Sequence, residues 1–258
     1  MSKDRNHPGL MINIDGTDGS GKRTQAEKLL KIIRQCGFKA ALISFPRYDK
    51  TAADGVIKYL NKKYGGINDL GPYAASIFYA HDRVDACYQE YEKFPNIKKM
   101  LEQGFIVITD RFSSANLGHQ GGKIRDRNER IDFYYWLLRY EHDLLKLPRP
   151  NINLILHVDP DVSQTLVSRK KTREYTDKKH DAHEEDKNHL RSAEKAFIEM
   201  TRILPDFKLI ECMRDGRIMP PDKITNLILE EALPYVKKCT ANNRLISGFL
   251  FAFYMFLR

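Results

Sequence analysis

Three short stretches carry residue types and spacings that could do chemistry on phosphates. Residues 16–24, GTDGSGKRT, follow the apolar alternation of Leu10 to Ile14 and open the helical stretch Gln25 to Gln35. Gly16, Gly19 and Gly21 let backbone N–H groups curl round an anion, the helix N-terminus adds partial positive charge, and Lys22 adds a mobile full charge. This is the layout of a P-loop, and the ligand it implies is a nucleoside triphosphate. The usual pattern places a magnesium-ligating hydroxyl straight after the lysine; here that place is Arg23, with Thr24 one step later, which reads as a P-loop with an altered metal shell. Further on, the all-apolar run FIVIT at 105–109 delivers Asp110 and Arg111 at its end. The carboxyl end of a buried parallel strand is where open α/β sheets bind ligands. Tyr79 and Arg83, four apart in a long helical stretch, share one face, so a ring and a guanidinium can address the same ligand. The plainer alternative for that pair is a core aromatic beside a solvated arginine.

Strands near residues 10, 40, 106, 154 and 209 alternate with helical stretches at Tyr73 to Tyr91, Lys98 to Gln103, Glu129 to Leu145, Asn188 to Ile203 and Pro221 to Val236. That order predicts an α/β fold: a parallel five-stranded sheet covered by helices on both faces, in three layers. The stretch FSSANLGHQGGK at 112–123 reads as a loop, and the polar run at 169–186 reads as a mobile segment or a solvated loop. After the polar CTANNR, the apolar run Leu245 to Leu257 is shorter than the roughly 20 residues needed to span a bilayer, so no transmembrane segment is expected.

The chain of 258 residues is long enough for one substantial domain, and 30% charged against 42% hydrophobic residues is the balance of a soluble globular protein. The formal charge of +9 fits either nucleic acid or several phosphates held at once. The lysines and arginines are spread along the chain, with no aromatic-studded basic repeat and no zinc pattern, so a specific nucleic-acid partner is the weaker reading. Cys36, Cys87, Cys212 and Cys239 stand far apart, and the N-terminus lacks the apolar core of a signal peptide; a reducing cytoplasm is the expected location.

Taken together, the P-loop, FPRYD at 45–49, the Tyr79/Arg83 pair in SIFYAHDR, DRF at 110–112 and the basic polar segment resemble thymidylate kinase over roughly Leu10 to Lys238. The resemblance implies a P-loop kinase fold at 1–240 with a lid at about 168–186; the apolar tail at 241–258 lies beyond it and has no assigned role. The resemblance also implies transfer of the γ-phosphoryl group of ATP to dTMP with Mg²⁺, and a homodimer. Residue by residue, the P-loop Gly16, Thr17, Asp18, Gly19, Ser20, Gly21, Lys22, Arg23 and Thr24 would bind ATP, with Asp18 also near the acceptor phosphate. Asp18 and Asp110 would lie near the metal, and Arg111 on the acceptor phosphate. Phe45, Arg47 and Tyr48 would line the acceptor's phosphate side, Tyr79 would stack on the base, and Arg83 and Asn116 would meet its polar edge. His119 falls where the family usually has a Tyr that crowds the sugar 2′ position, and Gln120 follows; a shorter side chain that can hydrogen-bond a hydroxyl loosens the choice between ribose and deoxyribose. Because the P-loop carries Gly19 where some members carry an arginine, the catalytic arginine is implied to come from the lid, as Arg169 or Arg173, with Asp181 and Glu184 toward the acceptor. The competing readings are a kinase for another nucleoside monophosphate such as dUMP or UMP, and a nucleotide-binding protein without kinase activity.

Overall fold

The computed structural model describes residues 7–65, 69–90, 95–163 and 187–241. Five parallel strands form the sheet: β1 (Leu10–Gly16), β2 (Ala40–Ser44), β3 (Ile106–Asp110), β4 (Ile152–His157) and β5 (Phe207–Glu211), in the order β2-β3-β1-β4-β5. The expected five-stranded parallel sheet is therefore present. Between the strands run α1 (Lys22–Gln35), α2 (Asp54–Leu60), α3 (Gly71–Tyr88), α4 (Ile97–Glu102), α5 (Ser113–His119), α6 (Arg127–Leu138) and α7 (Lys187–Ile203). A two-stranded hairpin of β6 (Met213–Arg214) and β7 (Arg217–Ile218), which the sequence pattern does not announce, leads into α8 (Pro221–Ala241).

β1 is buried along its whole length because both faces are covered. Ile12 and Ile14 face one layer with Ala26 and Leu29 of α1 and Ile228 and Ala232 of α8. The other face carries Met11, Asn13 and Asp15, as the two-residue period of a strand requires. Met11 packs with Val107, Met100 and Phe112. The two polar residues are satisfied within the layer: Asn13 donates to Ser114 Oγ (2.6 Å) and Asn153 Oδ1 (2.9 Å) and accepts from Thr109 Oγ1 (3.0 Å). Ser114 Oγ in turn donates to Asp15 Oδ2 (2.5 Å). Buried polar groups persist when they are hydrogen-bonded in this way, and here the bonds tie β1, β3, β4 and α5 into one frame.

Two segments depart from the sequence reading. Residues 113–119, expected as loop, form α5 and continue into a 3₁₀ turn at Gly121–Lys123. The glycines that read as loop signals serve packing instead: a Cβ on Gly118 would lie 2.3 Å from the Phe197 ring, and one on Gly122 would lie 2.8 Å from Ala193 N. Only glycine permits α5 and its following turn to approach α7 so closely. The helix expected from Glu129 to Leu145 divides into two. α6, whose N-cap Asp126 accepts from Glu129 N at 2.9 Å, gives way to a π-helical turn at Arg139–Leu144, with Leu145 N bonded to Tyr140 O at 3.0 Å. No helix among the described residues is long and apolar enough to cross a membrane. The expected lid at 168–186 and the apolar run at 245–257 lie outside the described residues.

α7 is fastened to the sheet by His157 at the end of β4, whose two ring nitrogens meet Glu211 Oε2 (2.7 Å) and Glu194 Oε1 (2.9 Å). Both partners are acceptors, so the arrangement requires the doubly protonated ring. Burial alone would lower its pKa, but the bonds and charges of Glu211 and Glu194 outweigh burial and raise it above 6.5. A raised folded value means that the clasp stabilises fully below the unfolded pKa and is lost as pH rises through the folded one. Replacing His157 by Gln is therefore expected to lower the thermal midpoint more at about pH 6 than at about pH 9; a deficit equal at both would assign His157 a packing role only.

Candidate functional site

The site is built where β1 and β3 end. β1 runs into a loop whose glycines take left-handed or otherwise positive φ: Gly16 at 139°, Gly19 at 83° and Gly21 at 87°. A Cβ at Gly16 would meet Leu156 O at 2.3 Å, so the loop can close against β4 only with glycine there. Its base is fixed by Asp15, which the sequence reading passed over: Oδ1 accepts from Gly16 N at 2.9 Å while Oδ2 takes the Ser114 hydroxyl. Burial raises the Asp15 pKa, and the positive charges of Lys22 and Arg111 only partly offset that.

Lys22, at the first position of α1, is buried and donates to Gly16 O (3.0 Å) and Thr17 O (2.7 Å), with Asp18 Oδ1 at 3.7 Å. Burial, and then the neighbouring Arg111, lower its pKa to about 8. Arg111 follows β3 with φ at 68°, a conformation rare for a residue with a side chain, held by its N–H on Ile14 O at 2.9 Å. The turn aims its guanidinium back at the P-loop, where Nη2 pairs with Asp18 Oδ1. Burial opposes the Arg111 charge, but Asp18, Asp110 and Asp15 outweigh it and raise the pKa. Arg111 Nε and Ser20 Oγ are buried polar atoms with no hydrogen-bond partner among the described residues. The arrangement is a buried lysine and a partly buried arginine, each held by carboxylates that an entering polyanion can replace as partner.

Beside this charged edge lies a pocket, and the structure brings most of the expected residues to it. Asp18 and Arg111 form its charged end, with Phe45, Pro46 and Tyr48 along one wall. Tyr79 and Arg83 of α3 line it from one helical face, as their spacing predicts, and Asn116, His119 and Gln120 line it from α5 and its end. Tyr79 stands edge-on to the buried Tyr59, ring centroids 6.3 Å apart at 85°. His119 lies 5.6 Å from the His189 ring at 17° and edge-on to Phe197, both on α7. Burial first, with the neighbouring cations behind it, holds its pKa well below 6.5, so the ring is neutral. Gln120 Oε1 is buried without a hydrogen-bond partner among the described residues.

Some expected residues are elsewhere. Arg47 does not line the pocket: its N–H groups reach Asp82 Oδ1 (2.8 Å), Asp82 O (2.9 Å) and Asp85 Oδ2 (2.5 Å) on α3, so it braces the turn that presents Phe45 and Tyr48. Arg23 points outward to Glu27 Oε1 (2.5 Å) and Ser44 Oγ (2.9 Å), and Thr24 is exposed on α1. Arg169, Arg173, Asp181 and Glu184 lie outside the described residues. Sequence reasoning also missed Glu141, which is wholly buried in the π-helical turn and pairs with Arg83. An acid in the charged run RYEHDL, with Asp143 two positions on, gives no sequence signal of such a role.

No group of three or more His, Cys, Asp or Glu among the described residues could hold a metal ion by itself. The donors present are the carboxylates of Asp18 and Asp110 at the carboxyl ends of neighbouring strands, hard oxygens that suit a magnesium ion carried mainly by phosphates and water.

The depressed pKa of Lys22 gives a measurable consequence. Between about 8 and its ordinary value of 10.5 the unfolded chain holds a proton that the folded chain has released, so unfolding free energy rises with pH over that window. The difference in stability between the native chain and a Lys22→Met variant is expected to shift in the native chain's favour across the window; a flat difference would show that Lys22 titrates normally.

A sequence model of the thymidylate kinase family matches residues 14–211. Among curated proteins, the thymidylate kinase of Mycobacterium tuberculosis is 30% identical over 155 residues, covering 60% of this chain and 68% of that protein. The human thymidylate kinase is 27% identical over 150 residues, 58% of this chain and 61% of that protein. A solved thymidylate kinase structure from Candida albicans superposes with a TM-score of 0.64 at 22% identity, covering 88% of this chain and 92% of that one, a likeness of fold.

Proposed function

The chain belongs to the thymidylate kinase family, and on that premise we propose that it transfers the γ-phosphoryl group of ATP to dTMP, giving ADP and dTDP. The observation that carries this reading is the shared edge: the P-loop with Lys22 and the Asp18–Arg111 pair form the charged end of the same pocket that Tyr79, Arg83 and Asn116 line. A donor phosphate cradle and an acceptor pocket meet there.

The reaction asks little covalent chemistry of the protein. The acceptor is an ionised phosphate oxygen, so no general base is needed, and catalysis comes from holding two polyanions in line while neutralising the charge that moves between them. Gly16, Thr17, Gly19, Ser20 and Gly21 supply the loop around the ATP phosphates, and Lys22 meets their β- and γ-oxygens once it leaves the Gly16 and Thr17 carbonyls. Arg111 holds the acceptor phosphate, with its buried Nε available to it. Asp18 and Asp110 would hold Mg²⁺, partly through water, and the ion would supply charge neutralisation at the phosphate oxygens. Tyr79 stacks on the base, while Phe45 and Tyr48 close the phosphate side. Gln120 Oε1 and the neutral His119 face the sugar, where a ligand hydroxyl would donate to Gln120 Oε1. By the same reading residues 1–240 are the catalytic domain, and Arg169 or Arg173 as catalytic arginine and Asp181 and Glu184 for the acceptor are assigned by family resemblance, outside the described residues. The three free thiols among the described side chains, Cys36, Cys87 and Cys212, support a reducing cytoplasm.

In a coupled ADP-release assay with ATP and Mg²⁺, dTMP is expected to lead a panel of dUMP, UMP, dCMP, AMP and GMP, with chelation of the metal stopping turnover. Lys22→Ala and Arg111→Ala are each expected to lower kcat/KM by about 100-fold or more, and Tyr79→Ala to raise KM for dTMP while leaving KM for ATP nearly unchanged. Near-native activity in either charge variant would overturn the assignment, and inert monophosphates with retained ATP binding would favour the non-catalytic reading.

A second copy of the chain fits the aromatic face made by Tyr73 and Ile77 of α3 with Trp136 of α6 and the neighbouring Tyr140. Tyr73 and Ile77 are 37% and 44% exposed, and Trp136 stacks on Tyr140 at 5.3 Å and 7°. Such a contiguous apolar face is what a homodimer buries. Light scattering should give twice the chain mass of 30.0 kDa, and Ile77→Asp should return it to one; a native monomer would remove this part of the proposal.

A further inference from the structure

We infer that Glu141 is the positioning residue that sets which pyrimidine the pocket reads, by fixing the hydrogen-bonding sense of both Arg83 and Asn116. The inference rests on the reading that these two residues meet the base edge.

Glu141 is 0% exposed, Arg83 1% and Asn116 2%. All four acceptor directions of the carboxylate are taken. Oε2 accepts from Arg83 Nε at 2.9 Å and from Ser113 Oγ at 2.5 Å; Oε1 accepts from Arg83 Nη2 and from Asn116 Nδ2 at 3.3 Å. The second amide hydrogen of Asn116 goes to Ser76 O at 3.1 Å. Since Glu141 Oε1 and Ser76 O are both acceptors, the amide can sit only one way round: its nitrogen faces the protein and Oδ1 is the atom left for the pocket. The same carboxylate holds the Arg83 guanidinium by its Nε/Nη2 edge, over the Phe112 ring at 5.8 Å, and leaves Nη1 as the donor on offer.

The pocket wall therefore presents one fixed donor and one fixed acceptor. A pyrimidine with a carbonyl at C4 and an N3–H offers the complementary acceptor and donor. Cytosine, with an amino group at C4 and a bare N3, offers the reverse, so donor would face donor and acceptor would face acceptor. The negative charge of Glu141 also neutralises Arg83, so the wall reads a neutral base without a net cation behind it. The π-helical turn at Arg139–Leu144 is what places the carboxylate here, and such turns are frequent at functional sites.

The test measures kcat and KM for dTMP, dUMP and dCMP, and KM for ATP, in the native enzyme, Glu141→Gln and Glu141→Asp. The Gln side chain keeps the volume but replaces an acceptor by a donor, which releases Asn116 or Arg83 from its fixed sense. The Asp side chain keeps the countercharge that the buried Arg83 needs, so the fold persists, but is too short to hold Arg83 by two bonds and Asn116 together. In each variant KM for dTMP is expected to rise about tenfold or more, and the preference for dTMP over dCMP to fall about tenfold, while KM for ATP stays within about twofold. A purely structural role would raise both KM values together and leave the dTMP-to-dCMP ratio unchanged; that result overturns the inference. Native enzyme that favours dTMP while both variants keep its selectivity overturns the role of Glu141 alone. Native enzyme inert on dTMP overturns the site reading and this inference with it.

Discussion

The constraint on which the rest depends is the placing of two cations, the buried Lys22 and the partly buried Arg111, together at the carboxyl end of the sheet. Lys22 is out of water and is repelled by Arg111 beside it, and its depressed pKa records that cost. Asp18 answers it by lying between them, paired with Arg111 and 3.7 Å from Lys22 Nζ. Asp15 and Asp110 add negative charge from the ends of β1 and β3. The geometry follows from this balance. The loop glycines let the backbone carbonyls of Gly16 and Thr17 turn inward to accept from Lys22, and the left-handed Arg111 is what brings its side chain back over the loop. Interactions of this kind are strong because water is excluded, and they are poised for substrate because any polyanion entering can take over the partners the protein supplies in its absence.

A second set of buried charges gives the pocket its shape. Arg47 on Asp82 and Asp85, and Arg83 on Glu141, fasten one turn of α3 to two different parts of the chain. Removing one partner of a wholly buried pair typically costs about 3–5 kcal/mol, whereas the intact pair contributes little net stability over a well-packed apolar pair. Their value here is orientation. Asp82 and Arg83 are adjacent in sequence and point about 100° apart on the helix, so the turn carrying Phe45 and Tyr48 and the wall carrying Asn116 are both set from one helix. The polar frame of Asn13, Thr109, Ser114 and Asn153 does the same beneath the P-loop, linking three strands to α5.

The sequence by itself determined the parallel order of strands, because runs such as FIVIT are too apolar to be anything but buried and their alternation with helices leaves few topologies. It also determined the P-loop and the shared face of Tyr79 and Arg83, since both rest on spacing along one local element. Tertiary structure alone decided the rest. Ser113 to His119 is helical although its glycines and serines suggest a loop, because Gly118 and Gly122 are set by the approach of α7, some 70 residues further on. Arg47 and Arg83 look alike in sequence, but the first turns to Asp82 and the second to the pocket, a difference fixed by which carboxylate folding brings near. Glu141 shows the limit most plainly. Its role depends on four donors, from Arg83, Ser113 and Asn116, that lie 25 to 58 positions away in the chain. Local pattern encodes periodicity and turn chemistry; it does not encode which buried charge will meet which.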